Sequence, residues 1–176
     1  MYPEKVAVVH EERRYTYRQL AERVRRLASA LQDAGLAKGD RVAVIAPNIP
    51  ALLEAHYGVP AAGGVLVAVN YRLTAADVGF ILEHSGARFG FVDHEYEQLV
   101  DGRTADGVER VIRIDDTGAS GDPYEDFLAE GSPERQPVVL DDEDEPISTT
   151  GKVKKFELRA RYASLGADKL VHSACR

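Results

Sequence analysis

What the chain lacks narrows its class. A single cysteine, Cys175, excludes an intramolecular disulfide and gives no sign of an oxidising compartment. No apolar run approaches the ~20 residues that a membrane-spanning helix needs. The opening "MYPEKVAVV" has neither the h-region nor the small-residue cleavage site of a signal peptide. These features predict a cytoplasmic protein that does not enter a membrane. Positive charge is in deficit, with a formal net charge of −7, so no basic footprint for nucleic acid extends over the chain.

Chemical motifs are also scarce. No G-x-G-x-x-G follows a strand pattern, and the glycines of "AGGVL" precede a strand and read as a helix end. A Walker loop is missing: Val153 follows Gly151 and Lys152, and Pro146 stands where the first glycine belongs. His10, His56, His84, His94 and His172 fall on different elements and form no metal-ligand pair, so no metal site is expected. His56, set among apolar residues, reads as a satisfied boundary histidine. The acids of Asp141 to Glu145 read as a solvated loop, because five consecutive carboxylates cannot converge on one ion.

What is present is an alternation of strand and helix patterns. Val6 to Val9 and Arg14 to Tyr17 predict an opening β-hairpin around "HEER". Leu20, Val24, Leu27, Ala28 and Leu31 recur at helical spacing. Thr16 with Gln19 supplies a capping box, and Gly35 the stop. "RVAVIA" and "VLVAV" are continuous β-branched runs suited to strands buried on both faces. Between them lies a helix from Ile49, with Asn48 as its expected cap and Pro60 expected to end or kink it. Thr74 and Asp77 repeat the capping box for a helix stopping at Gly86, and "RFGFVD" and "VERVIRID" supply two more strands.

The implied fold class is α/β: a doubly wound, mainly parallel sheet with helices on both faces, an opening β-hairpin and an irregular C-terminal tail. Beyond Thr117 the pattern thins to a loop, a short helix "YEDFLAEG" and an acidic connection. Residues beyond about Gly131 are expected to be poorly ordered for want of apolar anchors.

One constellation suggests chemistry. Thr149 and Thr150 offer hydroxyls, and Gly151 precedes Lys152 in a turn able to present an ammonium to a phosphate or carboxylate. The same residues equally read as a surface turn into a basic, helix-like run, "KVKKFELRARY", with Phe156 and Leu158 as partial anchors.

The stretch from "YTYRQLAERVRRLASALQDAG" through "NYRL" and on to "ILEHSGARFGFVD" resembles the N-terminal region of the AMP-forming acyl-CoA synthetases, within the acyl-adenylate-forming superfamily. "DEDEPIS" is similar to the strand that leads into that family's glycine- and threonine-rich phosphate loop, which does not follow here. Instead "TTGKVKKFELR" resembles the family's far C-terminal motif at Thr150, Gly151, Lys152, Lys155, Leu158 and Arg159.

The resemblance implies residues 1–130 as an N-terminal α/β subdomain, 131–148 as an acidic connection, 149–162 as a remnant of the lysine motif, and an unplaced stretch at 163–176. It implies Lys152 as the adenylation lysine, with Thr149, Thr150 and Gly151 at the nucleotide. ATP, CoA and Mg are implied as participants with a small carboxylate.

The expected function is that of a truncated carboxylate–CoA ligase, inactive alone. The alternatives are an interaction module, by self-association or pairing with an intact homologue, or a phosphate-binding protein using the basic tail. Loss of a covering subdomain predicts exposed apolar surface.

Overall fold

The computed structural model describes residues 2–100 and 107–140, and the backbone of 147–149. Strands β1 (Val6–His10) and β2 (Arg13–Thr16) pair antiparallel as the expected hairpin. Glu11 turns the chain at a φ of 52°, in a region non-glycine residues rarely enter. Helix α1 (Tyr17–Asp33) starts from Thr16, whose hydroxyl accepts from the Gln19 amide while the Gln19 side chain accepts from the Thr16 amide. It ends in a Schellman arrangement. The Leu36 amide donates to Leu31, the Gly35 amide donates to Gln32, and Gly35 holds a φ of 92° that a side chain would strain.

Next come β3 (Arg41–Ile45), α2 (Pro50–Ala61), β4 (Val65–Val69), α3 (Ala75–Ser85), β5 (Ala87–Asp93), a 3-10 segment (His94–Leu99), β6 (Arg110–Ile114), α4 (Pro123–Glu130) and β7 (Ile147–Thr149). Asn48 does not cap α2. Ile49 is the cap residue and contributes no side-chain bond, because Pro50 in the first turn already has its φ set and brings no amide to satisfy. The helix also runs one residue past Pro60 before ending. The second capping box holds: Thr74 accepts from the Asp77 amide and Asp77 accepts from Thr74.

The sheet order is β6-β5-β3-β4-β7, and every neighbouring pair is parallel. Alternation along each strand sends side chains to two layers. Val42, Val44, Leu66, Phe89, Phe91, Ile112 and Ile114 face α1, α2 and α4. Ala43, Ile45, Val67, Val69 and Val92 face α3 and the 3-10 segment. The chain moves from β3 outward to β4 and then crosses back over β3 to β5, so connections leave β3 and β5 in opposite directions. Ligands of such folds bind at that divide, beyond the carboxyl ends of the strands.

Residues 132–140 depart from the expectation for the stretch after Gly131, and most of the rest of that stretch lies outside the described residues. They are fastened to the helices rather than loosely placed. Ser132 donates its amide to Ser29, Arg25 donates to the Pro133 carbonyl, Arg135 pairs with Asp33, and the Val138 amide donates to Ala61. Polar and backbone bonds do the work for which apolar anchors were sought. Ile147–Thr149 then adds a fifth strand beside β4, with Ala68 opposite Thr149.

Candidate functional site

The carboxyl ends of the strands are where chemistry should gather in this architecture. Beyond β3, "APNIP" leads directly into α2 without a glycine. Beyond β4, Asn70 accepts from the Arg72 amide at 3.0 Å, and Tyr71 packs against Tyr96 with ring centres 4.9 Å apart. Beyond β5, the buried Asp93 accepts from the Glu95 amide at 3.0 Å, and burial pushes its carboxyl above the usual aspartate range.

Beyond β6, "DDTGASGDP" has the outward form of a phosphate loop: small residues and two positive-φ glycines, Gly118 and Gly121, just before a helix. Its anion position is already filled from within. One Asp122 oxygen accepts from the amides of Asp115 (3.2 Å) and Tyr124 (3.0 Å). The other accepts from the Thr117 amide (2.9 Å) and hydroxyl (3.2 Å). Asp126 accepts from the Gly121 amide at 3.0 Å. Amides satisfied by carboxylates, with a second acid beside them, leave neither donors nor favourable potential for a phosphate. The loop is instead tied to the hairpin, since Asp116 binds the His10 ring at 2.8 Å and Arg13 at 2.6 Å.

Between the hairpin and α2 lies a groove of about 420 Å³, lined by Val8, Val9 and His10 on one side and Ile49, Leu53 and Tyr57 on the other. Val9 and Tyr57, on either side of the groove, are 57% and 59% exposed. His56 donates from Nδ1 to the Leu52 carbonyl, 2.7 Å away, as a boundary histidine should.

Sequence reasoning missed a buried polar cluster. Glu54 on α2 is fully buried, 2.6 Å from Arg23 of α1, and accepts from the Tyr124 hydroxyl of α4 at 2.9 Å. Arg23 also donates twice to Glu125, at 2.7 Å each. Burial pushes the Glu54 carboxyl above the usual glutamate range despite its bonds to Arg23 and Tyr124. The two carboxylates hold the Arg23 guanidinium above its ordinary value although burial opposes them, and burial with the nearby Glu54 drives the Tyr124 hydroxyl well upward. The signal was available: Ala51, Glu54, Ala55, Gly58 and Val59 form the inward stripe of α2, and Glu54 sits in it. Because every polar atom is bonded and the cluster locks three helices, its role is structural.

Of the residues singled out for chemistry, the structure places Thr149 at the end of β7, on the same carboxyl edge as the groove. Thr150, Gly151 and Lys152 lie outside the described residues, so no site is assembled around them here. Among the described residues no cluster of three acids, histidines or cysteines is set to hold a metal. The described residues do not by themselves fit ATP or Mg: the one glycine loop of the right form is closed by Asp122.

The family model for AMP-binding enzymes matches residues 1–152. The chain belongs to the AMP-binding enzyme family. It is 41% identical over 153 residues to the peroxisomal acetate/butyrate–CoA ligase AAE7 of Arabidopsis thaliana, covering 76% of this chain and 27% of that protein. In three dimensions it is similar to a benzoate CoA ligase from Burkholderia xenovorans LB400 (TM-score 0.73, 27% identity, 83% of this chain and 29% of that one). A comparable match is the N-terminal domain of FACL13 from Mycobacterium tuberculosis (TM-score 0.73, 28% identity, 83% and 37%). The chain therefore corresponds to the N-terminal region of an AMP-forming CoA ligase and spans about a third or less of the full-length ligases it matches. No described helix of this AMP-binding family member is long and apolar enough to cross a membrane.

Proposed function

We propose that this chain is the sheet-bearing N-terminal portion of a carboxylate–CoA ligase and that it does not activate acids by itself. The family reaction joins a carboxylate to ATP with release of pyrophosphate, then transfers the acyl group to CoA with release of AMP. In this reading Lys152 is the lysine that bridges carboxylate and α-phosphate, and Thr149, Thr150 and Gly151 lie along the nucleotide. The observation that carries the proposal is the self-filled loop after β6. The strand end that leads into Thr150, Gly151 and Lys152 is β7, and nothing described nearby holds a triphosphate or its metal. Lys152 then has charge without a positioned substrate, and positioning is worth roughly 7–11 kcal/mol of such a barrier. We place the protein in the cytoplasm on its lone cysteine.

ATP–pyrophosphate exchange with short aliphatic and benzoic-type acids, classes taken from the names of the relatives, tests the reading. The expected result is no exchange above that of heat-denatured protein. Exchange that disappears in Lys152→Ala would overturn it and make the chain a working adenylating enzyme.

A further inference from the structure

The strand edges of this chain are defended differently. β6, at one end of the large sheet, carries Arg110 and Arg113 with Glu97, Asp126 and Glu130 beside them, and β2 carries Arg13 and Arg14. Charge of that kind discourages pairing with another chain. β1 has none from Val6 to Val9, and no described strand pairs with its outer side. A two-stranded hairpin is marginal in water, so an added strand would also steady it.

Val8, Val9 and His10 all line the groove beside α2. Successive residues of a strand point to opposite faces, so three in a row border one groove only where the strand turns its edge to it. The far wall holds Leu53 and Tyr57, one turn apart on α2 and both exposed. The groove is thus a trough with a strand edge along one side and apolar side chains along the other, a form suited to receiving a strand.

The residues flanking β1 select which strand. Lys5 precedes it and Glu11 and Glu12 follow it, and all three are exposed. A parallel copy would set Lys5 on lysine and Glu11 on glutamate. A second β1 running antiparallel about a two-fold axis at Val8 sets Val8 on its own copy, Ala7 on Val9, Val6 on His10 and, at both ends, Lys5 on Glu11. The one like-charged opposition, Glu4 on Glu12, has a cation in place, because Arg18 Nε donates to Glu4 at 2.8 Å. The β1–β2 register slips at Ala7, and the added twist of such a bulge keeps the new pairing short, so the apolar wall carries much of the contact.

We infer that this chain associates as a two-fold dimer in which β1 of each copy lies in the groove of the other, giving the strand order β2-β1-β1-β2 and covering Val9, Leu53 and Tyr57. Such an interface is isologous, so each contact is made twice.

The test is sedimentation of the full chain over a dilution series, with Cys175→Ser to exclude a terminal disulfide. The chain should pass from dimer to monomer on dilution. Val9→Lys should raise the dissociation constant about tenfold or more, and its circular dichroism should match that of the parent. Lys5→Glu alone and Glu11→Lys alone should each be monomeric where the parent is dimeric, since each sets like charges opposite at both ends. Mixed in equal amounts, these two variants should dimerise, because together they restore opposite charge at both ends. A monomer at every concentration would overturn the inference, as would a dimer that Val9→Lys and both charge reversals leave intact. Failure of the mixture to dimerise would overturn it as well.

Discussion

The two faces of the sheet are built differently. On one, three helices surround a polar cluster centred on the fully buried Glu54 of α2, with the partly buried Arg23 from α1 and, from α4, the partly buried Glu125 and the buried Tyr124. On the other, α3 and the 3-10 segment cover the same strands with Val78, Ile81, Leu82 and Leu99, and the layer is apolar throughout its buried cluster. The contrast separates two ways of holding a helix. Apolar burial is strong but non-directional. A buried carboxylate must meet its partners at fixed distances or incur several kcal/mol of uncompensated desolvation. The first face therefore fixes where its helices sit, and the second fixes mainly that they are covered.

That difference predicts unequal responses. Arg23→Met leaves Glu54 buried without its cation and should lower the unfolding free energy by about 3–5 kcal/mol in urea titration. Replacing both Arg23 and Glu54 by methionine should restore most of the loss. A single replacement costing under about 1 kcal/mol would erase the distinction between the faces. Leu82→Ala, on the apolar face, should cost about 2–4 kcal/mol as transfer plus cavity, with little change between about pH 4 and pH 7.

The pH response sharpens the comparison further. Because the folded-state pKa of Glu54 is raised, the folded chain holds that proton more tightly than the unfolded one. Its contribution to stability thus falls as pH rises from the unfolded value, about 4.3, through the raised one. Glu54→Gln should flatten this slope in thermal melts across the interval, and Leu82→Ala should leave it in place. The smallest effect belongs to the caps. Thr74→Ala at the start of α3 should cost about 1 kcal/mol, and Thr16→Ala at the start of α1 a similar amount, since the two capping boxes have the same geometry.

Much of the fold was legible because its signals are local. The capping boxes at Thr16 and Thr74, the stop at Gly35, and the β-branched runs of β3 and β4 each depend on residues within about one turn or one strand. Asn48 was misread because its neighbour Pro50 changes what the first turn of α2 requires. The order of residues 132–140 was misread because Ser132, Arg25 and Val138 are anchored through main-chain and side-chain bonds that an apolar pattern does not display. The candidate site was less legible still. "TGASGDP" reads as a loop in sequence, and only coordinates reveal that Asp122 has taken its amides.

The sequence by itself determined the family, the alternation of strands and helices, and the meeting of Thr149 with a Thr-Gly-Lys turn, since each rests on residue types at short spacing. Tertiary structure alone decided three things. Glu54 finds Arg23 across 31 residues and Tyr124 across 70. The loop after β6 is closed to anions. Among the described residues no strand pairs with the outer edge of β1, beside α2. These depend on distances between elements far apart in the chain, and such distances are set by how the layers pack rather than by any local pattern.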